Sequence, residues 1–339
     1  MTQRRAISVV IINYNYENYV SCAIESVLAQ SKPAHQLIVV DDGSTDCSVK
    51  TISNALSNNP LDAIFIEKKN GGVISAANAA FKHVTGEYVV FLDADDTLCS
   101  TCVEAVQDGV ASEPALLHYP LNLINSSGAF IGTFPNLNHY TLSAGQDVET
   151  ILRTGFYIKS STSGNAYKAL ALRELFPIED HIYAKDGDYY SQFPLDAYLT
   201  NKILYFGPLV AMSEPLGCYR MHDNNNGAGK TIWNSNQKRV RVLELMHNDI
   251  AFYSKRSYHD FESLVLRDPR LLLNCVIQDA TDTGNIPIRQ PKVGLRLVWL
   301  SFQKNIFGGR VRLLHMIAIY GLILLIPRFP RNLISRFIS

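Results

Sequence analysis

Apolar and polar positions come in blocks along the first hundred residues, and the blocks alternate between two periods. Ile7-Ser-Val-Val-Ile-Ile12 is a nearly continuous apolar run rich in β-branched residues. That pattern predicts a strand buried on both faces of a parallel sheet. Asn13-Tyr-Asn-Tyr-Glu-Asn18 is a polar loop, and Val20, Ala23, Ile24, Val27 and Leu28 then recur at helical spacing. They predict an amphipathic helix ending between Gln30 and Pro33. Leu37–Val40 predicts the second strand, Ala63–Ile66 the third, and Glu87–Val90 leads a fourth into Phe91-Leu-Asp-Ala-Asp-Asp-Thr97. Between the third and fourth, Val73, Ala76, Ala77, Ala80, Phe81 and Val84 predict a helix that Gly86 stops. Strand–helix alternation with acidic or Gly-rich loops at the strand ends predicts an α/β fold with a mainly parallel sheet flanked by helices. Leu116–Leu121 reads as a further strand.

The pattern changes in the last third. From Thr231 to Asp282 it is helical and carries no evident chemistry. From Thr283 onward there is no Asp or Glu, but nine Lys or Arg interleave with apolar residues. Leu313–Ile326 is apolar apart from His315; as a helix it spans about 21 Å, short of the roughly 30 Å hydrocarbon core. A basic, acid-free, amphipathic tail fits an anionic membrane surface, with a buried core helix or a homodimer contact as the alternative. The expected organisation is a catalytic domain over 1–228, a helical appendage over 229–282 and a membrane-associating tail over 283–339.

Over the whole chain the net charge is zero, which argues against nucleic acid as a partner. With 47% hydrophobic residues the 339-residue chain can bury a large core. Met1–Arg5 runs straight into a strand without the apolar region of a signal peptide. Six cysteines show no framework spacing, and Cys99-Ser-Thr-Cys102 has no second pair to complete a zinc site. The expected location is cytoplasmic, peripheral on the inner face of the membrane.

Chemistry concentrates at the predicted strand ends. Asp93, Asp95 and Asp96 close the fourth strand, and strand alternation would put Asp93 and Asp95 on one side. Like charges so close raise each other's pKa unless a cation neutralises them. A hard divalent ion, Mn²⁺ or Mg²⁺, completed by phosphate oxygens and water, suits them; a solvated acidic turn is the plainer alternative. Asp41-Asp-Gly-Ser-Thr-Asp46 follows the second strand. There Gly43 permits a tight turn, and Ser44, Thr45 or Asp46 can cap the next helix. Asn70-Gly-Gly72 suits a close backbone approach to a ligand. No Gly-x-Gly-x-x-Gly and no complete Gly-x-x-x-x-Gly-Lys-Ser/Thr phosphate loop occurs. A diphosphate would therefore be gripped through metal.

Val9-Val-Ile-Ile-Asn-Tyr-Asn15, Val40-Asp-Asp-Gly-Ser-Thr-Asp46, Asn70-Gly-Gly72 with Asn78, and Gly86-Glu-Tyr-Val-Val-Phe-Leu-Asp-Ala-Asp-Asp96 together resemble the family 2 glycosyltransferases of GT-A fold. The resemblance implies that Asn13, Asn15 and Asp42 hold the nucleotide base, with Asn70 and Asn78 in the same site. It places Asp93 near the ribose and Asp95 on the metal. In Lys185-Asp-Gly-Asp188 it implies Asp186 as the base that deprotonates the acceptor, with Asp188 as the alternative. In Tyr219-Arg-Met-His222 it implies Arg220 on the diphosphate and His222 in the metal shell. Two positions depart from the family: Lys185 replaces its usual Glu, and Ala77 replaces an arginine. The implied activity is inverting transfer from a nucleotide-sugar donor, usually a UDP-sugar, to a glycan or polyprenyl-phosphate-linked acceptor. A catalytically silent nucleotide-sugar scaffold and a sugar nucleotidyltransferase are the rival readings.

Overall fold

The structure, a computed structural model, describes residues 5–57, 61, 63–135, 160–178 and 195–222. These lie in one compact unit that closes at His222. Asp186, Asp188, the helical stretch after Thr231 and the basic tail fall outside the described residues.

In chain order the elements begin with β1 (Ile7–Asn13), α1 (Val20–Leu28), β2 (Gln36–Asp41), α2 (Ser48–Leu56), β3 (Ala63–Glu67), α3 (Gly72–Phe81) and β4 (Tyr88–Asp93). They continue with β5 (Thr97–Leu98), α4 (Cys102–Gly109), β6 (Leu116–His118), β7 (Leu121–Asn125) and β8 (Phe130–Phe134). After a 3₁₀ turn at Thr162–Gly164 come β9 (Asn165–Lys168), α5 (Ala169–Leu172), α6 (Leu195–Lys202), β10 (Leu209–Ala211) and β11 (Gly217–Met221).

The main sheet has the order β10-β6-β9-β4-β1-β2-β3. β1 to β4 are parallel, and β9 runs antiparallel between β4 and β6. From β1 the chain steps outward through β2 to β3, then returns to lay β4 on the other side of β1. That reversal opens a crevice at the carboxyl ends of β1 and β4, where open α/β sheets bind ligands. The fold is a mixed, mainly parallel sheet with flanking helices, as the GT-A resemblance implies. A second sheet, β5-β11-β7-β8, stands beside it and carries β11 to the same end.

Burial explains the strands. Ile7, Val9 and Ile11 pack with Val20, Ala23, Ile24 and Val27 of α1, and all seven are fully buried. Each such Val or Ile contributes about 1.5–3 kcal/mol. On the opposite side Phe91 of β4 lies against Phe176, which stacks on Phe81 of α3.

Two expectations need correction. The Leu116–Leu121 run is not one strand: it breaks at Tyr119-Pro120, and its halves join different sheets. Proline has no N–H for a central ladder, so the chain changes sheets there. The α3 helix stops at Phe81 instead of reaching Val84, because His83 and Val84 donate three residues back to Ala80 (3.0 Å) and Phe81 (3.2 Å).

Candidate active site

The loops after β1 and β2 are joined by side chains. Asn13 Nδ2 donates to Asp41 Oδ2 at 2.8 Å and to Ser44 Oγ at 3.1 Å, while the Ser44 hydroxyl donates to Asp41 Oδ2 at 2.7 Å. Asn15 adopts a left-handed backbone (φ 58°), and its Oδ1 accepts the Thr45 amide at 2.8 Å. Asp46 accepts the Ser48 amide at 2.9 Å and so caps α2. Ser44 and Thr45 are held by the β1 loop instead. Asn13 Oδ1 is buried without a hydrogen-bond partner, an orphan acceptor at the carboxyl end of β1.

Asp42 is buried and occupies the start of α3. Its carboxylate accepts the Gly72 amide at 2.7 Å and the Gly71 amide at 3.1 Å, and pairs with the Lys68 ammonium. A helix N-terminus is a ready anion site; here the protein's own carboxylate fills it. Asn70 is exposed beside this seat. Asn78, further along α3, faces the Ile178 backbone.

The acidic cluster is organised by a turn. β4 ends at Asp93, and the Asp96 amide closes back on the Asp93 carbonyl at 3.0 Å. Asp95 is therefore placed by that turn and by β11, not by strand alternation. Asp95 Oδ2 lies 3.0 Å from His222 Nε2. The imidazole stacks on Tyr19, with ring centroids 5.0 Å apart. Arg220 is buried; its Nε donates to the Asp95 carbonyl at 2.9 Å, and its guanidinium lies 5.1 Å over Tyr19.

Folding thus brings Asp93, Asp95, Arg220 and His222 together across β4 and β11. Two members of the cluster carried no assigned role in the sequence. Asp96 Oδ1 accepts the Arg220 amide at 2.9 Å, and its Oδ2 accepts the Ser163 hydroxyl at 2.6 Å. Ser163 Oγ in turn accepts the Asp93 amide at 3.1 Å. A third Asp closing a buried run was the only signal for Asp96. For Ser163 the only signal was its place in the small, polar Ser160–Gly164 run, which suits the wall of a binding site.

Burial pushes Asp93 up to about 8, and the neighbouring Asp95 and Asp196 charges add to the shift. Burial also raises Asp95, opposed by its contact with His222. Asp96 stands well above the ordinary carboxylate range, from burial first and then from Asp95 and Asp93.

These residues fit a divalent cation. Two cis ligands on an octahedral ion with bonds of about 2.1 Å are about 3.0 Å apart. Asp95 Oδ2 and His222 Nε2 already have that separation. Among the described residues no group of three or more His, Cys, Asp or Glu side chains could hold a metal. A metal here would take its remaining ligands from phosphate and water, as Mg²⁺ commonly does.

The family model for glycosyl transferase family 2 matches residues 8–132. The chain carries a family 2 glycosyltransferase domain. It is 34% identical over 232 residues to an uncharacterized glycosyltransferase of Nostoc sp., covering 65% of this chain and 66% of that protein. The chain thus spans just under two thirds of that relative's length. Two solved structures share the fold. Staphylococcus aureus TarS in complex with UDP-GlcNAc superposes with a TM-score of 0.54 at 16% identity, covering 87% of this chain and 79% of that one. The mannosyltransferase PcManGT of Pyrobaculum calidifontis, in complex with GDP-Man and Mn²⁺, gives 0.51 at 17% identity, covering 95% and 88%.

The raised Asp93 gives the glycosyltransferase domain a pH-dependent stability. An unfolded Asp titrates near ~3.9, so between there and about 8 the folded chain holds the extra proton. The stability this group supplies is full below the unfolded value and is lost as pH rises towards 8. A bound cation would offset that loss. Mn²⁺ should raise Tm more at pH 8 than at pH 5, by about 2–4 °C for each kcal/mol. A larger Mn²⁺ effect at pH 5 in differential scanning calorimetry would refute this.

Proposed function

We propose that the chain is a metal-dependent, inverting glycosyltransferase. It moves a sugar from a nucleoside diphosphate donor, a UDP-sugar, to a hydroxyl of a glycan or lipid-linked acceptor in surface polysaccharide or oligosaccharide synthesis. The observation that carries this reading is the Asp95–His222 pair at 3.0 Å, set beside Asp93 at the sheet's switch point. Asp95 and His222 would hold Mn²⁺ or Mg²⁺, which supplies Lewis-acid neutralisation of the leaving diphosphate. Asp93 accepts a hydrogen bond from a ribose hydroxyl. Arg220, fixed to the Asp95 carbonyl, adds positive charge on the diphosphate side. Asn13, Asn15 and Asp42 take the base, a role supported by the orphan Oδ1 of Asn13, and Asn70, exposed beside Asp42, joins them. Asp186 accepts the proton of the attacking hydroxyl, with Asp188 as the alternative.

The tail over 283–339 is assigned to the cytoplasmic face of the membrane on its basic, acid-free sequence. Among the described residues no helix is long and apolar enough to cross a membrane. A scaffold without turnover is the second reading. It is favoured by Ala77, a fully buried position where the family has an arginine.

The test is release of free nucleoside diphosphate from a panel of UDP-, GDP- and dTDP-sugars with Mn²⁺, in the presence of membrane lipid extract. One donor should turn over, and Asp186→Asn should lower its kcat at least about a hundredfold, in the range of general base catalysis. Metal-dependent UDP binding without release from any donor would select the scaffold.

A further inference from the structure

We infer, on the reading of Asp95 and His222 as metal ligands, that Tyr19 is a positioning residue for that pair: its ring fixes the plane in which the His222 imidazole faces Asp95. Tyr19 stands just ahead of α1, at the N-cap. That position favours Ser, Thr, Asp or Asn, whose side chains satisfy an open helix amide. Tyr19 makes no such bond. Breaks in a local rule of this kind concentrate where a site needs the residue.

The contacts of the ring show what it does instead. The His222 imidazole stacks on Tyr19 with centroids 5.0 Å apart and planes 26° from parallel. Tyr16, from the same loop, meets the imidazole edge-on at 5.8 Å and 77°. His222 is thus held by a face and by an edge, the two arrangements that aromatic rings prefer.

Arg220 closes a circuit. Its guanidinium lies over the Tyr19 ring at 5.1 Å, within cation–π range. Its Nε holds the Asp95 carbonyl at 2.9 Å, and His222 Nε2 faces Asp95 Oδ2 at 3.0 Å. Contacts therefore run from the Asp95 backbone through Arg220, Tyr19 and His222 back to the Asp95 carboxylate. They tie the turn after β4, the end of β11 and the start of α1 together. With its plane held against Tyr19, the imidazole cannot swing Nε2 away from Asp95 without losing the stack. Groups that orient a metal ligand in this way are worth roughly 10–100-fold in metal affinity.

The plainer role, packing at the start of α1, would be filled by any apolar side chain. The test therefore compares Tyr19→Leu with Tyr19→Phe in the full chain, with Tm as folding control. Calorimetry measures UDP binding with and without Mn²⁺, and the readout is the gain in affinity that Mn²⁺ confers. Tyr19→Leu should lower that gain at least about tenfold. Its metal-free UDP affinity should be unchanged, because Arg220 keeps the Asp95 carbonyl and its 3.4 Å contact with the Ser126 carbonyl. Tyr19→Phe keeps the ring and should stay within about twofold of wild type. In a His222→Ala background, Tyr19→Leu should lower the gain by less than about twofold, since the two residues act as one unit.

An unchanged gain in Tyr19→Leu would overturn the inference. So would an equal loss of metal-free affinity, a loss in Tyr19→Phe matching that in Tyr19→Leu, or an undiminished loss in the His222→Ala background. If Tyr19→Leu does not fold, Tyr19→Met takes its place under the same criteria. Asp95→Ala runs beside them. A gain that survives Asp95→Ala would refute the metal site itself, whereas a gain lost there but kept in Tyr19→Leu would refute only the role of the ring.

Discussion

Asp95→Ala is expected to lower kcat of the proposed Mn²⁺-supported reaction at least about a thousandfold, equivalent to about 4 kcal/mol of transition-state stabilisation. The truncation removes the carboxylate that faces His222 at 3.0 Å and leaves the imidazole alone to hold a divalent ion. The fold should survive it. The Asp95 carbonyl, which the mutation keeps, is the atom that Arg220 Nε grips at 2.9 Å. Asp96 also keeps its bonds to the Arg220 amide and the Ser163 hydroxyl. His222→Ala should be milder, because the remaining carboxylate can still recruit the ion through phosphate and water. Steady-state turnover against Mn²⁺ concentration, with Tm as a folding control, separates the two variants. Retention of more than a tenth of wild-type kcat by a folded Asp95→Ala protein would refute the metal site.

Gly43→Ala is expected to destabilise the chain by about 2–4 kcal/mol. Two costs combine. Gly43 has φ +76°, where an L side chain is strained. A Cβ there would also stand 2.5 Å from the Asn70 backbone nitrogen and 3.1 Å from the Lys68 carbonyl oxygen. Both neighbours are backbone, so no rotamer change relieves the clash. The Asp42 loop and the Asn70–Gly72 segment would have to separate, and the carboxylate would lose its Gly71 and Gly72 donors. Urea denaturation should show the loss, together with weaker UDP binding. A variant within 0.5 kcal/mol of wild type, the range of an ordinary surface substitution, would mean that the two loops are not locked as described.

Much of this arrangement was legible in the sequence, for local reasons. β-branched runs marked β1, β2 and β4, because strands buried on both faces need apolar residues at every position. Helical spacing marked α1 and most of α3. The donor-side motifs could be read because each is a short run beside a strand's carboxyl end. Their order along the chain matched a known family, as the 8–132 match bears out. Polar residues at turns were less certain. Ser44, Thr45 and Asp46 were equivalent caps by type, and the choice fell to Asp46 because Asn13 and Asn15 claim the other two from across the crevice.

By itself the sequence determined the alternation of strands and helices, the acidic character of the strand ends and the family 2 domain at residues 8–132. It also supplied the basic tail, which composition alone reveals. Only the tertiary structure decided which polar groups meet. Asp95 finds His222 across 127 positions, Ser163 reaches Asp96 across 67, and Asn78 closes on Ile178 across 100. Periodicity reports which face of an element is buried, within a few turns of the chain. Hydrogen-bond partners so far apart are set by sheet order and strand register, which form only when those buried faces pack together.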